Sequence, residues 1–171
     1  RLMGPGTLAG AAVQINLLVS MVLATGEGTG AVSWLGYAFR IMYLPIGLFG
    51  VSIAAAALPT VSRHAAHEDF KGMRETVSRA LRLMLMLNVP ATIGLIVLGE
   101  PIVQLIFERG SFTDIDTTAT TAALLFYAPG LVGYSAVRIA VPAFYALGNS
   151  LIPAYISMGT VVLNIALSLL L

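Results

Sequence analysis

The sequence predicts an all-α fold, a polytopic bundle of transmembrane helices, and three observations carry that prediction. The chain is 58% hydrophobic and only 10% charged, whereas soluble domains run about 25% charged. Its apolar residues gather into runs of membrane-spanning length, about twenty residues each. The charge between the runs is segregated, with Arg63, Lys71, Arg74, Arg79 and Arg82 supplying five of the nine basic residues in one connecting segment. A net charge of +1 distributed this way reports topology and offers no patch for nucleic acid. The absence of cysteine excludes disulfides, thiolate metal sites and cysteine nucleophiles. Five spans are expected in a single membrane domain over residues 1–171, at about 7–25, 32–59, 81–98, 117–147 and 152–171. The chain begins at Arg1 and stops at Leu171 inside an apolar run, so it is expected to be an excerpt of a longer protein.

The first span carries Gln14, Asn16 and Ser20 in an otherwise apolar helix. Such groups either bond to a neighbouring helix, at about 0.6 kcal/mol per contact, or line a polar cavity. The turn from Gly26 to Gly30 is too short to hold a domain.

The second span is the one with a working face. Its single charge, Arg40, lies about 10 Å along the helix from Ser33 at ~1.5 Å per residue. Ser33, Gly36, Tyr37, Arg40, Tyr43, Gly47, Gly50 and Ala54 recur at steps of three and four, predicting one polar, small-residue stripe. Ile41, Leu48 and Phe49 fall off it. A charge near the centre of a span costs about 2.5–3.5 kcal/mol on insertion scales, so it marks a functional position. Pro45 is expected to kink this helix, and Trp34 suits an interface anchor.

Residues 60–82 form the basic segment, which the positive-inside rule places in the cytoplasm. Phe70, Met73, Val77 and Leu81 predict a surface amphipathic helix ahead of the third span. His64 and His67 read as solvated loop histidines. The third span contains Asn88 and Pro90, and the loop after it, residues 100–116, is expected outside. There Thr113 and Asp116 match a capping box for the fourth span. The fourth span is interrupted by Pro129, Gly130, Gly133 and Pro142. It places Tyr127, Gly130, Tyr134, Arg138 and Tyr145 near one face, with Arg138 free to snorkel. The fifth puts Ser157, Thr160, Asn164 and Ser168 on one stripe.

No HExxH, P-loop, GxSxG or carboxylate pair occurs, and no acid lies deep within a span. Nothing in the chain proposes an enzyme, a cofactor or a metal. The substrate-binding candidates are Arg40, Ser33, Tyr37, Gln14, Asn16 and Arg138.

Four stretches closely resemble the MurJ/MviN family of lipid II flippases: VQINLLVS (Val13 to Ser20), VSWLGYAFRIMYLPIGLFGVSIAAAALP (Val32 to Pro59), FERGSFT (Phe107 to Thr113) and AFYALGNSLIP (Ala143 to Pro153). The resemblance runs over nearly the whole chain. It implies the start of the second, C-terminal lobe of a two-lobed, MATE-like transporter of the bacterial inner membrane. It also implies lipid II, an undecaprenyl-diphosphate-linked peptidoglycan precursor, as the substrate. Membrane lipids and cell-wall synthesis proteins are the further partners it implies. Arg40 matches the arginine that the family places in its central cavity. Many relatives carry an acid where this chain has Phe39, and another where it has Ser20. The first difference leaves Arg40 uncompensated; the second weakens a sodium site. A MATE-like exporter of drugs or of other polyprenyl-linked oligosaccharides, and a non-transporting membrane scaffold, are the alternative readings.

Overall fold

The structure is a computed structural model and describes residues 30–170. The first span and its Gln14, Asn16 and Ser20 lie outside the described residues. Six α-helices follow one another: α1 (Ala31–Pro45), α2 (Ser52–Ala66), α3 (Phe70–Phe107), α4 (Asp114–Tyr127), α5 (Gly130–Ala146) and α6 (Leu151–Leu170). A π-helical segment, Ile46–Val51, joins α1 to α2 without a break. No strand occurs among the described residues.

Two continuous helices are long and apolar enough to cross a membrane, Ala31–Ala66 and Phe70–Phe107. A third crossing arises if α4 and α5, bent by 49° at their junction, count as one. At ~1.5 Å per residue, the 36-residue Ala31–Ala66 and the 38-residue Phe70–Phe107 each exceed the ~30 Å hydrocarbon core.

The junction between α2 and α3 differs from the sequence expectation. The basic segment was expected to hold a loop and a separate surface helix. In the structure α2 runs through Pro59 to Ala66, and α3 starts at Phe70 and continues unbroken. The physical reason is a single buried stripe. Met73, Ala80 and Met84 seven and four apart face the core, and no breaker separates them from the apolar run beyond. The connection shrinks to a turn at His67, Glu68 and Asp69. Asp69 caps α3, its Oδ1 accepting from the Gly72 N–H at 3.0 Å, and its Oδ2 lies 2.8 Å from His64 Nδ1. His64 is thus a pinned member of α2's last turn, in place of the solvated loop residue expected.

Within the bundle α3 packs against α2, α4 and α5, while α1 packs chiefly on α4. The core is three stacked clusters. Ala38, Ile41, Met42 and Ile46 meet Leu95, Val103, Leu124, Ala128 and Leu131 at one end. Ala80, Met84 and Ile139 form the middle, and Val61, Met73 and Ala143 the basic end. Among the described residues α6 touches the bundle only through α5.

The π segment changes which face of the first long helix looks outward. Pro45 has no N–H to give to the preceding turn, and the i→i+5 spacing that follows inserts extra residues per turn. The stripe predicted from Ser33 to Ala54 assumes a constant helical period. It holds through Tyr43 and then rotates inward, so that Gly50 is buried against α5. An added Cβ at Gly50 would stand 3.0 Å from Ser135 Oγ. Gly50 is therefore a packing position rather than part of the working face.

Candidate functional site

The face that remains is carried by α1 and completed by α5. Ser33, Gly36, Arg40 and Tyr43 are exposed, and Tyr37 is half-buried among them. The opposite side of α1 supplies Ala38, Ile41 and Met42 to the core, which fixes the helix's rotation and directs Arg40 away from it. Its guanidinium sits 5.7 Å from the centre of the Tyr37 ring, within cation–π range. Among the described residues Arg40 has no carboxylate within ion-pair distance; the pairs present are His64 with Asp69 and Arg79 with Glu75.

Arg138 joins the same surface from α5. Its Nη2 donates to the Tyr43 hydroxyl at 2.8 Å and lies 3.4 Å from the Tyr134 hydroxyl. The guanidinium also stands 5.3 Å from the Tyr134 ring centre. The expected free snorkelling of Arg138 is replaced by a tether to α1, because Tyr43 offers an acceptor one turn beyond Arg40. Aromatic contacts extend the link: Tyr43 packs 6.3 Å from Tyr134, and Phe39 packs 5.7 Å from Tyr43 and 6.3 Å from Tyr127. Phe39 thus binds α1 to α4 where an acid beside Arg40 would have neutralised it.

Ser33 and Tyr37 open on a second feature. They line an open cavity of about 440 Å³ with Trp34, Phe107, Arg109, Phe112 and Asp116. The Tyr37 ring packs 4.7 Å from Phe107 and 5.5 Å from Phe112, so the loop after α3 rests on α1. Trp34 is committed there too, its indole N–H donating to Asp116 Oδ1 at 2.7 Å. Asp116 Oδ2 accepts from the Thr113 N–H and hydroxyl at 2.8 and 2.9 Å, forming the capping contact expected from the sequence. The Thr113 N–H, followed by the Trp34 indole, holds the Asp116 carboxyl below the usual carboxylate range. Gly30 permits this corner. Its φ is 110°, and a Cβ there would meet the Trp34 ring at 2.9 Å.

Of the six substrate-binding candidates, the structure brings Arg40, Tyr37 and Ser33 onto one helix face and ties Arg138 to it. Gln14 and Asn16 lie outside the described residues. Sequence reasoning missed three contacts: Tyr43 to Arg138, Phe39 to Tyr127, and Trp34 to Asp116. Each joins residues more than eighty positions apart, and a single sequence carries no signal for such pairs.

Comparison with known proteins identifies the family. The family model described as "Lipid II flippase MurJ" matches residues 1–171. The chain belongs to the MurJ family. A probable lipid II flippase MurJ from Rickettsia prowazekii (strain Madrid E) is 36% identical over 169 residues, covering 99% of this chain and 33% of the relative. One from Vibrio cholerae serotype O1 is 34% identical over 167 residues, covering 98% and 32%. A solved structure titled "Lipid II flippase MurJ, inward closed conformation" is similar with a TM-score of 0.78 and 31% identity, over 88% of this chain and 32% of that one. The chain spans about a third of the length of the MurJ relatives it matches. The resemblance read from the four sequence stretches is therefore the family to which the chain belongs.

Proposed function

We propose that this chain is the beginning of the second lobe of a lipid II flippase. In that reading its α1 face forms one wall of the cavity that takes the substrate's diphosphate across the cytoplasmic membrane. The supporting observation is Arg40, a cation exposed on an apolar helix with no carboxylate partner among the described residues and a tyrosine ring beneath it.

A diphosphate cannot cross hydrocarbon unaided, so its headgroup needs a polar, cationic path while the prenyl chain stays in lipid. A guanidinium suits that path because it donates paired hydrogen bonds to phosphate oxygens. Tyr37 restricts Arg40 from one side, and Tyr43 holds Arg138 one turn away, so two cations and two phenols share the wall. The α4–α5 pair, bent by 49°, is a place where a helix of this lobe changes direction, as alternating access requires. The proposed topology has five spans, with residues 61–80 in the cytoplasm and residues 100–116 outside. Membrane potential acts on such a cationic wall with about 2.3 kcal/mol per charge per 100 mV.

The test uses the intact protein as the sole flippase in cells. Arg40→Ala is expected to reach the membrane at normal levels yet fail to support growth. Arg40→Lys is expected to be partly or wholly defective, because a single ammonium lacks the planar fork of donors. If Arg40→Ala moves the lipid at the wild-type rate, the proposal is wrong.

A further inference from the structure

The end of α1 opposite the basic segment holds a cavity whose chemistry differs from that of the Arg40 face. It has a volume of about 440 Å³ and lies between Ser33, Trp34 and Tyr37 of α1 and the stretch from Phe107 to Asp116. Its walls mix two kinds of surface. Trp34, Tyr37 and Phe112 are half-buried, so each ring keeps part of its apolar surface open. Ser33, Ser111 and Arg109 are exposed around them. Arg109 donates through Nη2 to the Leu105 carbonyl at 3.1 Å, which leaves further N–H donors on the same guanidinium. Charge narrows the occupant. Arg109 is the one cation and Asp116 the one acid lining the cavity among the described residues. Both Asp116 oxygens are committed, one to the Trp34 indole and one to Thr113. A charged ligand meets no net opposite charge here, whereas a neutral polar one can use the hydroxyl and N–H groups.

We propose that this cavity binds a neutral sugar ring, the one attached to the far phosphate of a lipid-linked diphosphate. The inference deepens the reading of the Arg40 face and rests on it. A pyranose suits these walls because its ring carbons offer an apolar face to the aromatic rings, while its hydroxyl groups meet neutral donors and acceptors at the rim. Tyr37 joins the two sites. Its ring centre lies 5.7 Å from the Arg40 guanidinium, and the same residue lines the cavity. Arg40 stands ~4.5 Å beyond Tyr37 and ~10 Å beyond Ser33 along the helix, at ~1.5 Å per residue. A sugar joined directly to a diphosphate at Arg40 falls within that reach. The fold itself fixes the walls. Tyr37 packs on Phe107 and Phe112, Trp34 is bonded to Asp116, and Gly30 gives the Trp34 ring its room. Under the proposed topology the cavity lies on the outward side of Arg40, so the sugar precedes the diphosphate across the membrane.

The intact protein in lipid nanodiscs is titrated with two probes of equal charge. One is undecaprenyl methyl diphosphate, and the other is undecaprenyl diphosphate carrying one N-acetylglucosamine. The sugar-bearing probe is expected to bind at least about tenfold more tightly, a difference of about 1.4 kcal/mol, as one or two net hydrogen bonds supply. Ser111→Trp puts a large ring into the cavity from an exposed position between α3 and α4. It should erase that gap and leave the affinity for the methyl diphosphate unchanged. Arg109→Gln, which removes the guanidinium donors, should narrow the gap about threefold. Arg40→Ala should weaken both probes alike and keep their ratio, so the diphosphate and the sugar are read separately.

Equal affinity for the two probes in the unsubstituted protein overturns the proposal, as does a gap that survives Ser111→Trp undiminished. Should Ser111→Trp depress both affinities and the ratio together, Arg109→Gln decides: a narrowed gap supports the sugar site, and an unchanged one overturns it. If Arg40→Ala leaves both affinities at their starting values while Ser111→Trp still closes the gap, the diphosphate reading of Arg40 fails and the sugar site stands.

Discussion

Gly50 provides the sharpest test of how the π segment seats α1 and α2 against α5. In an ordinary helix interior, glycine to alanine stabilises by about 0.8–1.0 kcal/mol through backbone entropy. At Gly50 the new Cβ would stand 3.0 Å from Ser135 Oγ, 3.1 Å from its Cβ and 3.4 Å from its Cα. Overpacking of that kind costs about 1–3 kcal/mol. The two effects leave Gly50→Ala destabilising by about 0–2 kcal/mol, with the clash dominant because Ser135 is fully buried. Ser135→Gly removes the two nearest atoms and leaves only the 3.4 Å backbone contact, an ordinary packing distance. In that background Gly50→Ala is expected to become stabilising by up to about 1 kcal/mol. The change of sign is the prediction, since it does not depend on how much either substitution costs alone. Equilibrium unfolding of the intact protein in mixed micelles, titrated with a denaturing detergent, gives all four corners of the cycle. If Gly50→Ala has the same effect in both backgrounds, the two helices do not meet there and the rotated face is wrong.

Two further predictions concern the ends of the site. Tyr43→Phe removes the acceptor that holds Arg138, and Arg138→Gln removes the donor; their double-mutant cycle is expected to show a coupling of about 0.5–1.5 kcal/mol, toward the low end because Tyr43 is exposed. Additive effects would mean that Arg138 makes no such bond. At the basic end, the Gly72 N–H and then His64 hold the Asp69 carboxyl below its ordinary value of 3.8. A depressed folded pKa stabilises the protein above that ordinary value, and the contribution is lost as pH falls through the lower, folded one. Asp69→Asn keeps a capping side chain without the titration, so its melting temperature should lose this component of acid sensitivity below about pH 4. Identical acid profiles for the two proteins would remove Asp69 as the cause.

How much of this was legible in the sequence depends on the range of the interaction involved. Arg40 could be placed on a polar face because a helix repeats within a few residues, and Ser33, Gly36 and Tyr37 keep that repeat. The Thr113 and Asp116 cap was legible for the same reason, its partners being three residues apart. Gly50 defeats the method at a local break. A fixed period carried past Pro45 assigns it to the polar stripe, while the longer π turn rotates it into α5. The surface helix expected near residue 70 was a different error. Its amphipathic pattern was real, but the buried side met α5 and α2 rather than lipid headgroups, so periodicity alone could not say what covered it.

The contacts beyond the sequence's reach also show what Phe39 does at the position where the resemblance implies an acid in many relatives. With an acid at position 39, a carboxylate would stand next to Arg40 and neutralise it in place. Phe39 instead packs between Tyr43 and Tyr127, which strengthens the seam between α1 and α4 and leaves the guanidinium without an ionic partner there. The two consequences are linked by geometry. Phe39 and Tyr43 are one turn apart, and Tyr43 also holds Arg138, so the contact that replaces the acid supports the wall carrying the second cation. Moving an acid into position 39 would therefore do two things at once: it would pair Arg40 internally and loosen the aromatic seam beside Arg138. Under the proposed function, a face that takes a diphosphate gains from avoiding both.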